Sequence, residues 1–169
     1  MDAQSFDKVI LATTPGRVLS ILGDASEDEV RRFGAWRCNQ FRTIAHRDPE
    51  LYEAYGTQTQ APCDYFLLPD QREFGYNTYI NHGYGLDRAV PYSFAFNLDQ
   101  EIAPDKIIHT AEHLTPAYTV DALRYRKEVI ETNGANHTFF VGAYLGNALH
   151  EGAIASANAA SARLGGQVL

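Results

Sequence analysis

The chain's 169 residues predict a mixed α/β (α+β) fold, with strand-and-helix segments at both ends and a mainly antiparallel sheet between them. Three observations carry this reading. The short continuous apolar runs Lys8-Val9-Ile10-Leu11-Ala12 and Thr138-Phe139-Phe140-Val141 suit strands of a parallel sheet buried on both faces. Between them, from Asn39 to Thr115, helical periodicity fades, and aromatic or β-branched residues come in short runs divided by turn residues. Helical character returns after Pro116, which divides the chain into 1–38, 39–115 and 116–169.

The first strand stops at Thr13-Thr14-Pro15-Gly16, and Arg17 to Leu22 reads as a short helix. Ser26 is placed as an N-cap with Glu29 three residues on, so a second helix runs to about Phe33 or Trp36. Phe41–His46, Asp64–Leu68, Phe74–Asn81, Tyr92–Asn97 and Ile107–Leu114 are the candidate strands of the middle block. Pro69-Asp70 marks a turn, and Asn81–Pro91, with Gly83 and Gly85, reads as a flexible connection. Thr119 caps a helix to Thr132 whose apolar positions are Val120, Leu123, Val129 and Ile130, ended by Asn133-Gly134. The Ala-rich stretch His150–Leu164 is a helix whose small side chains permit close packing on a sheet, with Gly165-Gly166 as its C-cap.

A net charge of −7 and a pI near 5.3 argue against a nucleic-acid partner, which requires clustered Lys and Arg. Arg31, Arg32 and Arg37 alternate with Glu27, Asp28 and Glu29 as a solvated helix face. Cys38 and Cys63 lack metal-ligand or disulfide-framework spacing, which fits a reduced, cytoplasmic setting. No apolar stretch is long enough to span a bilayer, Met1-Asp2-Ala3-Gln4 lacks the layout of a secretion signal, and the sequon Asn136-His137-Thr138 reads as a chance match. His109 and His113 are four apart, but on a strand they stand roughly 13 Å apart, so no metal site is expected.

The most informative stretch runs from Thr138 to Ala160. A strand delivers Gly142, a short loop follows, and a small-residue helix begins near Glu151-Gly152-Ala153. That geometry aims helix N–H groups and the positive dipole end at whatever lies above the turn, and the glycines let a flat ring or a phosphate approach the backbone. By itself the pattern is shared by many α/β proteins that bind nothing there.

This segment resembles the final motif of the flavin-containing amine oxidase family, a strand ending in Phe-x-Gly followed by a Glu-Gly-Ala helix start. The opening Phe6–Pro15 is similar to that family's Ala-Thr strand. Gly142-Ala143-Tyr144, Gly146 and His150-Glu151 resemble the subgroup described as predicted NAD/FAD-binding proteins, related to a bacterial fatty-acid double-bond isomerase. The resemblance covers nearly the whole chain, and it is specific chiefly at the C-terminal motif. It implies part of a FAD-binding domain joined to a substrate-domain sheet. It further implies that Gly142, Ala143, Glu151, Gly152, Ala153 and Ile154 face the flavin ring edge.

The family's Gly-x-Gly-x-x-Gly fingerprint is missing here, so the main anchor of FAD is expected to come from a second polypeptide, or FAD is not bound. Exposed strand edges would then favour a homo-oligomer or a complementary flavin-domain chain. Two enzymatic readings stay open: FAD-linked oxidation of an apolar or aromatic small molecule, and redox-neutral isomerisation or cyclisation without a cofactor. A non-catalytic scaffold is a third. Candidate substrate contacts are Tyr76, Tyr79, Asn81, His82 and Tyr144, and candidate proton-transfer groups are His150, Tyr79 and His82. Core packing of the aromatics and a capping role for His150 are the structural alternatives.

Overall fold

The computed structural model describes residues 4–56, 61–68, 74–86, 89–98 and 101–166. In chain order the elements are β1 (Val9–Ala12), α1 (Pro15–Ile21), α2 (Glu27–Gly34), β2 (Arg37–His46), β3 (Cys63–Leu67), β4 (Phe74–Tyr79), α3 (Ile80–Tyr84), β5 (Ser93–Phe96), β6 (Ile107–Ala117), α4 (Val120–Thr132), β7 (Thr138–Val141) and α5 (His150–Arg163). Short 3-10 turns lie at Glu50–Tyr55, Pro104–Lys106, Ala135–His137 and Ala143–Leu145. The fold is mixed α/β, with a small parallel sheet and a mainly antiparallel one. The turn expected at Pro69-Asp70 lies outside the described residues.

Two compact units make up the chain, Met1–Asn39 with Thr115–Leu169, and Gln40–Leu114. In the first, β1 and β7 pair in parallel with Val9 opposite Thr138 and Ala12 opposite Val141. The core on one side of this pair is Leu11, Val18, Phe33, Trp36, Val129 and Phe140, and the Phe33 and Phe140 rings lie 4.6 Å apart. Each such buried side chain contributes about 1.5–3 kcal/mol. On the other side Phe139 and Val141 pack against Ala160 of α5, where alanine admits a close approach.

Ser26 and Glu29 form a complete capping box at the start of α2, and Arg31 and Arg32 bridge Asp28 to Glu128 of α4. Two expectations are corrected here. β1 is not fully buried: only Leu11 is, because two strands leave Val9 and Ile10 at an uncovered edge. The face of α4 that packs is that of Ala122 and Val129, whereas Val120, Leu123 and Ile130 are exposed.

The second unit holds the strand order β3-β4-β5-β2-β6. Tyr65 pairs with Tyr76, Tyr76 with Phe96, and Phe96 with Thr43, which fixes one register across four strands. Ile44, Phe66 and Ala95 face a core with Leu51, Tyr52, Leu98 and Ile102. Gly75 is required in β4 because a Cβ there would collide with the Leu98 side chain. The stretch read as a flexible connection after Asn81 begins instead with α3, which closes on Gly85 in the left-handed region (φ 61°).

Candidate functional site

β1 and β7 end side by side, and the turns that leave them form the candidate site. Pro15 begins α1 directly after Thr13-Thr14, its missing N–H costing nothing at a helix start. Beyond β7 the backbone passes Gly142 and the 3-10 turn Ala143–Leu145, then enters α5. Together these turns, Pro116 and one face of α5 bound an open cavity of about 600 Å³. Among the described residues its lining carries no Asp, Glu, Lys, Arg or His.

Glycines permit the close approach that shapes this corner. A Cβ on Gly142 would stand 2.9 Å from the Tyr144 ring and 3.3 Å from the Thr13 carbonyl oxygen. A Cβ on Gly146 would stand 2.6 Å from the Gly152 Cα, so the loop and α5 touch backbone to backbone. Arg126 of α4 secures the loop by donating to the Gly146 carbonyl at 2.7 Å.

Of the residues implied at a flavin edge, Gly142, Ala143, Ala153 and Ile154 line the cavity, and so does Tyr144. Glu151, Gly152 and His150 do not appear in its lining among the described residues. The Gly152 amide is buried and donates to Asn147 Oδ1 at 3.1 Å, and the same oxygen accepts from the Leu149 amide at 3.0 Å. An asparagine thus takes up the helix amide that the motif suggested for a ligand. His150 is exposed at the first turn of α5, where its neighbour Leu149 supplies no side-chain cap.

Tyr144 is buried, and its hydroxyl has no hydrogen-bond partner among the described residues. Burial pushes its pKa upward, so it stays un-ionised near neutrality. Its ring meets Trp36 edge-on at 5.4 Å, and the Trp36 indole N–H is likewise buried with no partner among the described residues.

The remaining predicted contacts belong to the second unit. Tyr76 is half-buried, with its ring stacked on Phe96 at 4.2 Å, and burial makes its hydroxyl harder to ionise. Tyr79 lies three positions along β4, so it faces the opposite side of the sheet, and one ligand on that sheet does not touch both. Asn81 is not free for a ligand: it is buried, donating to the Val90 carbonyl at 2.8 Å and accepting from the Tyr92 amide at 2.7 Å, which fastens the return into β5. His82 is exposed on α3.

Sequence reasoning missed Ser156, Asn147 and Arg126 as builders of the corner. The legible signals are a hydroxyl in an otherwise Ala-rich helix and an asparagine two residues before a helix N-cap. No signal marks Arg126, whose partner is a backbone carbonyl 20 residues on. No family model matches the chain, and no curated protein matches it.

Proposed function

We propose that this chain supplies the C-terminal flavin edge and the substrate sheet of a FAD-linked, amine-oxidase-like oxidoreductase acting on an apolar or aromatic small molecule. The observation that carries the reading is the uncharged cavity of about 600 Å³ at the adjoining ends of two parallel strands. Ligands of open α/β sheets bind at the carboxyl ends of strands, and a flat ring needs a lining of this kind.

The residues present fit a ring edge. Gly142 and Ala143 line the cavity, Ala153 and Ile154 form an apolar wall, and the buried Tyr144 hydroxyl has no partner among the described residues. When bound, the flavin would supply the electron acceptor. The part that grips its pyrophosphate comes, on this reading, from outside these 169 residues. Tyr76 and its stacked neighbour Phe96 offer an aromatic surface for a ring-containing substrate.

Purified chain is mixed with FAD, alone and together with a dinucleotide-binding half from a flavin amine oxidase. The expected result is absorbance near about 450 nm retained after gel filtration with that half, and abolished by Gly142→Leu. No retained flavin in either case overturns the proposal. Colourless protein that converts a substrate without electron transfer supports the redox-neutral alternative instead.

A further inference from the structure

On the buried face of the second unit's sheet, side chains from four segments form a one-way line of hydrogen bonds. His46 ends β2 and is completely buried, as is Asn77 of β4. The Asp48 amide donates to His46 Nδ1 at 3.2 Å, so Nδ1 carries no proton and Nε2 carries it. Nε2–H donates to Asn77 Oδ1 at 2.9 Å, and Asn77 Nδ2 donates to the Tyr52 oxygen at 2.9 Å. The Tyr52 O–H donates to Asp64 Oδ2 at 2.9 Å. Of these bonds only the one from the Asp48 amide to Nδ1 requires the neutral ring, because Nε2 keeps its proton in the imidazolium.

The same histidine anchors a corner. The Asp48 carboxylate is buried and accepts from the Glu50 amide at 2.9 Å and the Ala103 amide at 2.8 Å. Asp48 therefore ties the end of β2, the 3-10 turn and the Ala103 turn together, and His46 Nδ1 holds its backbone in place. A second proton on the ring can go only to Nδ1, where it meets the Asp48 N–H, donor against donor.

The titratable groups facing the imidazole are Asp48 from the turn after β2, and Tyr52 and Asp64 through Asn77. Its β5 neighbour is Ser93. Burial lowers the histidine pKa, with the Asn77 bond and the Asp48 charge opposing less strongly.

We propose that His46 is an acid-operated latch: protonation at Nδ1 expels the Asp48 amide and frees the Asp48–Glu50 corner and the Ala103 turn from the sheet. This does not depend on the flavin reading.

The test is NMR of the ¹⁵N-labelled full chain between about pH 4.5 and 8, reading imidazole nitrogen shifts and amide exchange together. The Nε2–H tautomer is expected near neutrality, followed by one protonation step at a pH below the ordinary histidine range. Through that step, exchange at Glu50 and Ala103, corrected for its intrinsic pH dependence, rises at least about tenfold, while Leu11 and Phe140 are unchanged. His46→Gln, which takes no proton, shows no such step in exchange. If that variant does not fold, the wild-type titration decides alone, by whether the Asp48 and Ala103 amide shifts follow the imidazole. An Nδ1–H tautomer near neutrality, an imidazole step without opening, or the same opening in His46→Gln overturns the latch.

Discussion

Ser156 Oγ accepts from the Gly142 N–H at 2.9 Å while its own proton has the Ala153 carbonyl at 2.8 Å and the Gly142 carbonyl at 3.2 Å. One hydroxyl on α5 thereby fixes the turn at the end of β7. Ser156→Ala leaves the Gly142 N–H without this partner, which costs about 1–3 kcal/mol. Urea unfolding is expected to show a lower midpoint at unchanged slope, and a shift under about 0.3 kcal/mol would refute the role.

A Cβ on Gly146 meets the Gly152 backbone, and one on Gly142 meets the buried Tyr144 ring at a φ of 157° that side chains rarely adopt. Gly146→Ala and Gly142→Ala are therefore each expected to destabilise by about 2–3 kcal/mol. Thermal melts of the two variants check this, and a loss under about 0.5 kcal/mol in either would show that the corner relaxes around the added methyl.

Tyr144→Phe removes a buried hydroxyl that has no partner among the described residues. The variant is expected to be as stable as the parent or more so, by up to about 1 kcal/mol, because an unsatisfied polar atom leaves the interior. On the proposed function it also binds flavin more weakly. Equal flavin affinity in parent and variant would exclude the hydroxyl from the site.

Tyr52 and Tyr144 both have pKa values raised above that of a free tyrosine, chiefly by burial. The folded state thus holds the phenolic protons more tightly than the unfolded chain does. Their contribution to stability is fully present below about pH 10 and is lost as pH rises above it, by up to about 1.4 kcal/mol per pH unit for each group. Unfolding free energies between pH 8 and 11, with and without Tyr144→Phe, measure the share of each tyrosine; parallel curves would contradict the assignment for Tyr144.

Ile10 is 51% exposed on the uncovered edge of β1. Ile10→Lys should change the stability of the isolated chain by less than about 0.5 kcal/mol, yet weaken any association through that edge. Sedimentation velocity at several concentrations reads the difference. An assembly unchanged by Ile10→Lys would place the contact elsewhere.

Local signals in the sequence carried much of the architecture. Ser26 with Glu29 and Thr119 before Val120 mark helix starts by hydrogen bonds made within a few residues, and Gly134 after Asn133 marks a helix end by its positive φ; such signals are written in neighbouring letters. Runs of aromatic and β-branched residues in Asp64–Leu68 and Phe74–Asn81 marked strands through local backbone preference. The sequence did not reveal which residues oppose which, because that depends on contacts between distant positions. β1 pairs directly with β7, and Asn147 takes the amide offered by Gly152; neither follows from composition or spacing.

What the sequence by itself determined is the mixed α/β class, the order of its strands and helices apart from α3, and the glycine-turn and small-residue-helix motif at Gly142–Ala160. Only the tertiary structure decided that this motif joins Thr13, Thr14 and Pro15 around one uncharged cavity, that Tyr76 and Tyr79 face apart, and that His46 is committed to a buried relay. The physical reason is range. Backbone preference and capping act over one helical turn, while packing and buried hydrogen bonds unite residues that the chain keeps far apart.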